Sequence, residues 1–288
     1  MELEFVKMHG LGNDFIIIDD RDQKISEYKN YSLLAKKLCS RHFGIGADGI
    51  ILILESSDFD ITFRIYNSDG SQPQMCGNGM RCFAKYLYEN KIVSKKKIRV
   101  DTQAGTIIPE VIVNDNGVVQ SIKVDMGEPV LLCKDIPFKS KNRTSAKENI
   151  MVKGMEYSVT AVGMGNPHCV LFVDDITKVD VEKLGPLIEH HERFPEKTNV
   201  EFVEVMNPRE LKMRVWERGA GITLACGTGA CASLVAANLA EKADQNAIIH
   251  LDGGDLEIYW NKETNHIFKT GTANEVFKGH CVISVNHT

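Results

Sequence analysis

No apolar run in this chain approaches the roughly 18 residues that a membrane-spanning helix needs, so no membrane partner is expected. There is no long basic tract either. Lys and Arg number 34 against 39 Asp and Glu, a net charge of −5, which makes nucleic acid a poor candidate partner. The start, Met1-Glu2-Leu3-Glu4, lacks a basic segment leading into an apolar core, so a secretory signal is not expected and the expected compartment is cytoplasmic. A zinc-type ligand set is missing: Cys76/Cys82 and Cys226/Cys231 have five and four intervening residues, and the nine histidines are scattered. No metal is therefore expected. Eight cysteines in such a chain argue for free thiols in a reducing compartment, not for a disulfide framework.

What is present is a short cysteine motif used twice. Cys76-Gly77-Asn78-Gly79 and Cys226-Gly227-Thr228-Gly229 lie 150 residues apart, each after a strand-like run and at the start of a helical pattern. At the same offset Arg64-Ile65-Tyr66-Asn67 falls on Arg214-Val215-Trp216-Glu217, with four identities over the ungapped stretch 60–84. An earlier pair, Gly12-Asn13-Asp14-Phe15 and Gly165-Asn166-Pro167-His168, is offset by 153 and leads each time into an apolar run. The order of elements also agrees, which points to an internal duplication. With 288 residues, 43 % hydrophobic and 25 % charged, the chain suits about two ordinary soluble domains.

Each half reads alike: a strand (about 14–20 and 168–174), a helix carrying Leu33, Leu34 and Leu38 or Val181, Leu184 and Ile188, then strands near 48–54 and 60–67 or 199–206 and 210–217. The helix expected over Ala230–Ala243 is apolar on almost every side and should be buried deep in its half. Further strands are expected near 98–113, 119–126, 247–260 and 279–285, and Pro186 and Pro195 should interrupt 185–198. The lysine-rich stretch Lys134–Lys147 reads as a solvated loop. Gly127 and Pro129 break the strand before them, so the boundary is placed there, giving one half of 1–126 plus 276–288 and another of 127–275.

The glycines beside each cysteine suggest a tight turn that aims several N–H groups one way at a helix N-terminus. Such an end can hold a carboxylate as readily as a thiolate. Its electrostatics amount to at most about 2 kcal/mol, or near 1.5 pKa units, which would bring a thiol from about 8.5 to about 7. Enzymes lower barriers by roughly 8–23 kcal/mol, so most of that must come from excluded water and from donors aimed at developing charge. Water exclusion would require the halves to close on a substrate. A single Cys-Gly-x-Gly reads equally well as a glycine turn with a buried cysteine. Two at matched positions favour a site with a thiol on each side, suited to moving a proton from one face of a carbon to the other. Cys39, Cys82, Cys133, Cys169, Cys231 and Cys281 have no matched context and read as small hydrophobes.

Taken with Gly10-Leu11-Gly12-Asn13-Asp14-Phe15, Asn67-Ser68-Asp69-Gly70, Met75 to Cys82, Gly165-Asn166-Pro167-His168, Thr198-Asn199, Trp216-Glu217-Arg218-Gly219 and Ala225 to Ala230, the chain resembles the diaminopimelate epimerase family over nearly its whole length. That resemblance implies an α+β fold of two pseudo-symmetric domains, each a mostly antiparallel sheet wrapped around a central helix. It also implies a homodimer and epimerisation of LL- to meso-2,6-diaminopimelate in lysine and peptidoglycan-precursor biosynthesis. No cofactor is implied, pyridoxal phosphate included. Cys76 and Cys226 become the two catalytic groups, Cys76 as proton donor and Cys226 as acceptor in that direction. Asn13, Asn67, Asn166, Asn199, Glu217 and Arg218 become substrate ligands, and Gly77, Asn78, Gly227 and Thr228 hold the carboxylate of the reacting end. His168 and Glu217 bias thiol protonation. The residue chemistry agrees, since Asn both donates and accepts, Arg suits a carboxylate and Glu an ammonium.

Three departures from the family pattern stand out: Gly49 where some members carry glutamine, a longer and more polar stretch over 137–149, and Phe277 where a tyrosine often supports the dimer. The nearest alternative is a proline racemase-like enzyme, whose first cysteine motif typically has His where Asn78 stands. Phenazine-biosynthesis isomerase-like proteins lack the cysteine pair, and a thiol redox or metal-binding protein is the alternative of a different class.

Overall fold

The computed structural model describes residues 2–25 and 30–283. Its backbone falls into two compact units, one of residues 1–124 with 271–288 and one of residues 125–270. No helix among the described residues is long and apolar enough to cross a membrane.

The first unit contains β1 (Glu2–Gly10), β2 (Asn13–Asp19), α1 (Tyr31–Cys39), β3 (Gly49–Leu54), β4 (Ile61–Asn67), α2 (Gly77–Glu89), β5 (Val100–Thr102), β6 (Gly105–Ile107), β7 (Glu110–Val113) and β8 (Val119–Asp125). The second contains β9 (Glu148–Val152), β10 (Met155–Gly163), β11 (Pro167–Phe172), α3 (Val181–Glu189), β12 (Asn199–Asn207), β13 (Glu210–Glu217), β14 (Gly221–Ile222), α4 (Gly227–Leu239), β15 (Asn246–Leu251), β16 (Gly254–Trp260) and β17 (Ile267–Gly271). The last strand, β18 (Asn274–Val282), pairs antiparallel with β1 in the first unit.

The two units share one plan. In the first, the strand order is β18-β1-β2-β3-β4-β5-β6; in the second it is β17-β16-β15-β13-β12-β11-β10-β9, with β14 on β13. The strand before each outer helix runs parallel to the strand after it, β2 to β3 and β11 to β12. The next pairing is antiparallel, β3 with β4 and β12 with β13. The cysteine helix then crosses over to another parallel neighbour, β5 or β15. Parallel pairs inside a mostly antiparallel sheet are covered on both faces, which is why β3 (GIILIL) and the start of β12 are buried at nearly every position.

Each sheet wraps a 13-residue helix. On α2 the buried side includes Met80, Phe83, Ala84 and Leu87, each at 0 % exposure. On α4 small residues let strands approach from all sides, and Ala230 through Ala237 are all buried. That helix ends at Leu239, four residues before the expected Ala243.

Other expectations shift. Pro186 does not end a helix but lies inside α3, where the N–H it lacks would have met the Glu182 carbonyl of an exposed residue that water can serve. The stretch 98–113 is three short strands, and 247–260 is a hairpin turning at Asp252-Gly253. Lys134–Lys147 is not wholly solvated, because Ile136, Phe138 and Ser145 turn inward and Leu132 bridges to Thr144. The strand expected to 285 is described to Val282, and residues 284–288 lie outside the described residues.

Candidate functional site

Both cysteines of the repeated motif are helix N-caps with extended backbone, Cys76 at φ −136° and Cys226 at φ −116°. The glycines around them are not there for the turn, since none of Gly77, Gly79, Gly227 and Gly229 has positive φ. Close packing requires Gly79 and Gly229 instead. A Cβ on Gly79 would lie 2.9 Å from Ile51 Cδ1, and one on Gly229 would lie 2.7 Å from Glu201 Oε1 and 3.3 Å from Cys226 Sγ. Positive φ falls earlier, at Gly12 (88°) and Gly165 (84°), where the chain turns tightly enough to present the next residue, Asn13 or Asn166.

In the first unit Cys76 Sγ accepts the Gly79 N–H at 3.4 Å and donates to Asn13 Oδ1 at 3.9 Å. The same oxygen accepts Asn78 Nδ2 at 3.2 Å. Asn13 Nδ2 donates to Asp48 Oδ2 at 2.7 Å, and Asn78 Oδ1 accepts Arg81 Nη1 at 2.9 Å. Arg81 is wholly buried and also donates from Nε to the Thr272 carbonyl at 3.0 Å. Asp14 beside Asn13 is drawn by burial toward neutrality, but Arg41 and Lys7 outweigh this and hold its carboxyl at about 2. Asn67, at the end of β4, bonds Ser71 Oγ at 2.9 Å and closes its own turn. Gly49 stands opposite it, where a Cβ would meet the Tyr66 carbonyl at 2.7 Å, so a glutamine there has no room.

In the second unit Cys226 is buried, with Sγ 3.6 Å from Thr228 Oγ1. Behind it lies a chain of polar groups: Glu201 Oε1 to His168 Nδ1 at 2.6 Å, then His168 Nε2 to Asn166 Oδ1 at 2.8 Å. Glu201 and His168 are both at 0 % exposure, and Glu201 Oε2 has no hydrogen-bond partner among the described residues. Asn199 donates to the Pro167 carbonyl at 2.9 Å and accepts the Arg218 N–H at 2.9 Å, tying three quoted motifs together. Glu217 accepts the Thr223 hydroxyl.

Burial first, then the carboxyls of Glu217 and Glu201, push the Cys226 thiol well above its ordinary value, against the pull of Thr228 and the Gly229 N–H. This corrects the expectation of a thiol near 7: the helix end acts, and desolvation exceeds it. Burial likewise raises Glu201, with His168 opposing. Cys39 and Cys82 are held at about 12 by burial, as inert core thiols.

Thus Cys76 gathers Asn13, Asn78 and Gly77, and Cys226 gathers Gly227 and Thr228, with Glu217 and the His168–Asn166 chain close enough to shape its setting. Asn67 and the Arg218 guanidinium bond elsewhere, to Ser71 and the Glu196 carbonyl. Four residues escaped the sequence reading: Asp48, Arg81, Glu201 and Thr223. Glu201 left a trace, as an acid between Val200 and Phe202 in the apolar start of a strand. Asp48 was visible only as part of a glycine-rich loop.

Residues 5–132 and 160–276 match the sequence profile of a family described as diaminopimelate epimerase. The chain is 58 % identical to the diaminopimelate epimerase of Desulforapulum autotrophicum, covering 97 % of this chain and 99 % of that one. Identity to the diaminopimelate epimerase of Heliobacterium modesticaldum is 50 %, over 96 % and 99 %. Among solved structures, a phenazine biosynthesis protein of the PhzF family from Bacillus anthracis aligns with a TM-score of 0.68 at 17 % identity, over 98 % of this chain and 100 % of that one. A probable proline racemase from Agrobacterium radiobacter aligns with a TM-score of 0.68 at 15 % identity, over 99 % and 93 %. These two likenesses speak to the fold alone.

Proposed function

The chain belongs to the diaminopimelate epimerase family, and from that premise we propose that it inverts one α-carbon of 2,6-diaminopimelate by proton transfer between Cys76 and Cys226. It is an isomerase of amino-acid biosynthesis acting on a small amino-acid substrate. The observation that carries the mechanism is the matched pair of cysteine N-caps, each at the start of a 13-residue helix in an equivalent place of its unit.

In the LL-to-meso direction the Cys226 thiolate takes the α-proton: the C–H bond breaks, an S–H bond forms, and the electron pair passes toward the substrate carboxylate. Cys76 then gives its thiol proton to the opposite face and is left as thiolate. Reversal exchanges the roles. The backbone N–H groups at each helix start, with Asn78 and Thr228, suit the carboxylate of the reacting end. Asn13, Asn67, Asn166, Asn199 and Arg218 are the remaining proposed ligands, and Glu217 suits an ammonium. An ammonium against Glu217 would neutralise a charge that opposes ionisation of Cys226, so substrate helps to make its own base. His168 shapes that setting through Glu201 and Asn166. The proposed chemistry uses no cofactor. A cytoplasmic homodimer is part of the same reading, supported by the exposed Val276, Phe277 and Val282 on β18.

The test uses Cys76→Ser and Cys226→Ser. Incubated with LL-diaminopimelate in deuterated water, wild type should exchange the α-hydrogen as meso product forms, and each variant should lose epimerisation by at least about 10³-fold. Normal turnover by both variants would exclude the two-thiol reading. Preference for proline as substrate in the same assay would favour the racemase alternative.

A further inference from the structure

Asn13 can place either its oxygen or its NH₂ toward Cys76, and Asp48 decides which. The carboxylate is an acceptor only, so the Asn13 atom 2.7 Å from Asp48 Oδ2 is the nitrogen, and the oxygen is turned to Cys76 Sγ and Asn78 Nδ2. Asp48 is itself fixed: Oδ2 also accepts the Asp14 N–H at 3.1 Å, Oδ1 accepts Arg41 Nη2 at 2.8 Å, and the Asp48 N–H donates to the Asp14 carbonyl at 3.0 Å. An amide oxygen facing sulfur accepts an S–H and repels a thiolate; an NH₂ there would do the reverse.

The geometry points to Asp48 as a positioning residue that locks the Asn13 amide with its oxygen toward Cys76, so that the thiol is offered an acceptor on that side. This deepens the two-thiol reading and rests on it for its catalytic meaning. The charged and titratable groups on the elements around this end of α2 are Lys7 and His9 on β1, Asp14 on β2, Arg41 and Asp48 before β3, Glu110 on β7 and Arg81 on α2 itself. Lys7 and Arg41 are bound to Asp14, Glu110 pairs with Lys97, His9 accepts the Gly12 N–H, and β3 contributes no charge. Asp48 alone among them bonds the amide that touches the sulfur.

The experiment separates orientation from charge with two variants. Asp48→Ala removes the acceptor and leaves the Asn78 Nδ2 bond as the remaining hold on the Asn13 oxygen, so Asn13 gains freedom to turn its NH₂ to the sulfur. Asp48→Asn removes the charge, yet its amide oxygen belongs at the site where two N–H donors converge, so Asn13 keeps its orientation. Iodoacetamide alkylation of Cys76 at one fixed pH, followed by mass spectrometry with half-buried Cys281 as internal control, should be about tenfold faster in Asp48→Ala, because an NH₂ facing the sulfur stabilises the reacting thiolate. Asp48→Asn should stay close to wild type. Equal acceleration in both variants would assign the effect to charge and overturn the proposal; so would a wild-type rate in Asp48→Ala. Alkylation is independent of turnover, so it can fail while Cys76→Ser still abolishes epimerisation, and the reverse. If Asp48→Ala does not fold, kcat and KM of Asp48→Asn decide alone, since a charge role predicts a displaced pH profile and orientation predicts none.

Discussion

Asn30 and Asp180 cap α1 and α3 with side-chain oxygens, while α2 and α4 open on sulfur. Oxygen caps are the better ones for an isolated helix, worth about 1 kcal/mol over residues that cannot cap, and Cys226 makes no side-chain cap bond at all. A position that takes a sulfur cap in one unit and no side-chain cap in the other is explained by chemistry more readily than by stability. Serine at either place should therefore fold as well as cysteine. The same residue scale fixes a pH dependence. Cys226 is raised above its ordinary 9.0, chiefly by burial and then by Glu217 and Glu201. Its contribution to stability is fully present below 9.0, where both states hold the proton, and is lost as pH rises above it, because the unfolded thiol ionises first. The ultraviolet thiolate difference between wild type and Cys226→Ser isolates this sulfur. It should remain flat through neutral pH and begin above 9.0, with Glu217→Gln bringing the onset lower. A thiolate already present at pH 7 without substrate would refute it.

Packing at the level of elements explains a glycine that propensity would replace. Gly185 lies inside α3, where alanine is the better helix former by about 1 kcal/mol. A Cβ there would fall 2.6 Å from Trp216 Cβ and Cγ, and Trp216 is anchored by its Nε1 bond to Glu189 Oε2 at 2.7 Å. Gly185→Ala should thus destabilise by about 1–3 kcal/mol as overpacking outweighs propensity, read as a lower urea midpoint with unchanged slope. A higher midpoint would mean that Trp216 yields. Elements of this kind also show what sequence can tell. The apolar runs of β2 and β3, the all-apolar α4 and the shared order of strands and helices were legible because burial on one face or on all faces leaves a periodic trace. Strands β9 and β17 were not, since such short strands mix exposed Met151 or half-buried Phe268 with buried neighbours. In the site, the cysteines and their glycines were legible as a repeat. Asp48 and Glu201 were not, because they act through partners distant in sequence, 35 residues from Asn13 and 33 from His168.

At the scale of the molecule, the chain leaves the first unit after Val124 and returns to it at Gly271, so its last strand completes a sheet begun by its first. β18 covers β1 from Glu2↔Val282 to His9↔Asn274, and Phe277 packs edge-on against Phe5 with centroids 5.8 Å apart. The returning segment also brings the Thr272 carbonyl to buried Arg81, which in turn holds Asn78 beside Cys76. Ending the chain at Thr270 would strip β1 of one of its two neighbours, expose Phe5 and remove an acceptor from a buried guanidinium, a loss of several kcal/mol in the first unit alone. Hydrogen exchange followed residue by residue should show amides of β1 and α2 losing protection in the truncated chain while those of α4 keep theirs. Epimerisation should fall even where the chain remains folded, because Asn78 and Cys76 lose their support. Equal loss of protection in α2 and α4 would mean that the two units share one cooperative core, and unchanged protection in α2 would mean that β18 only decorates the sheet.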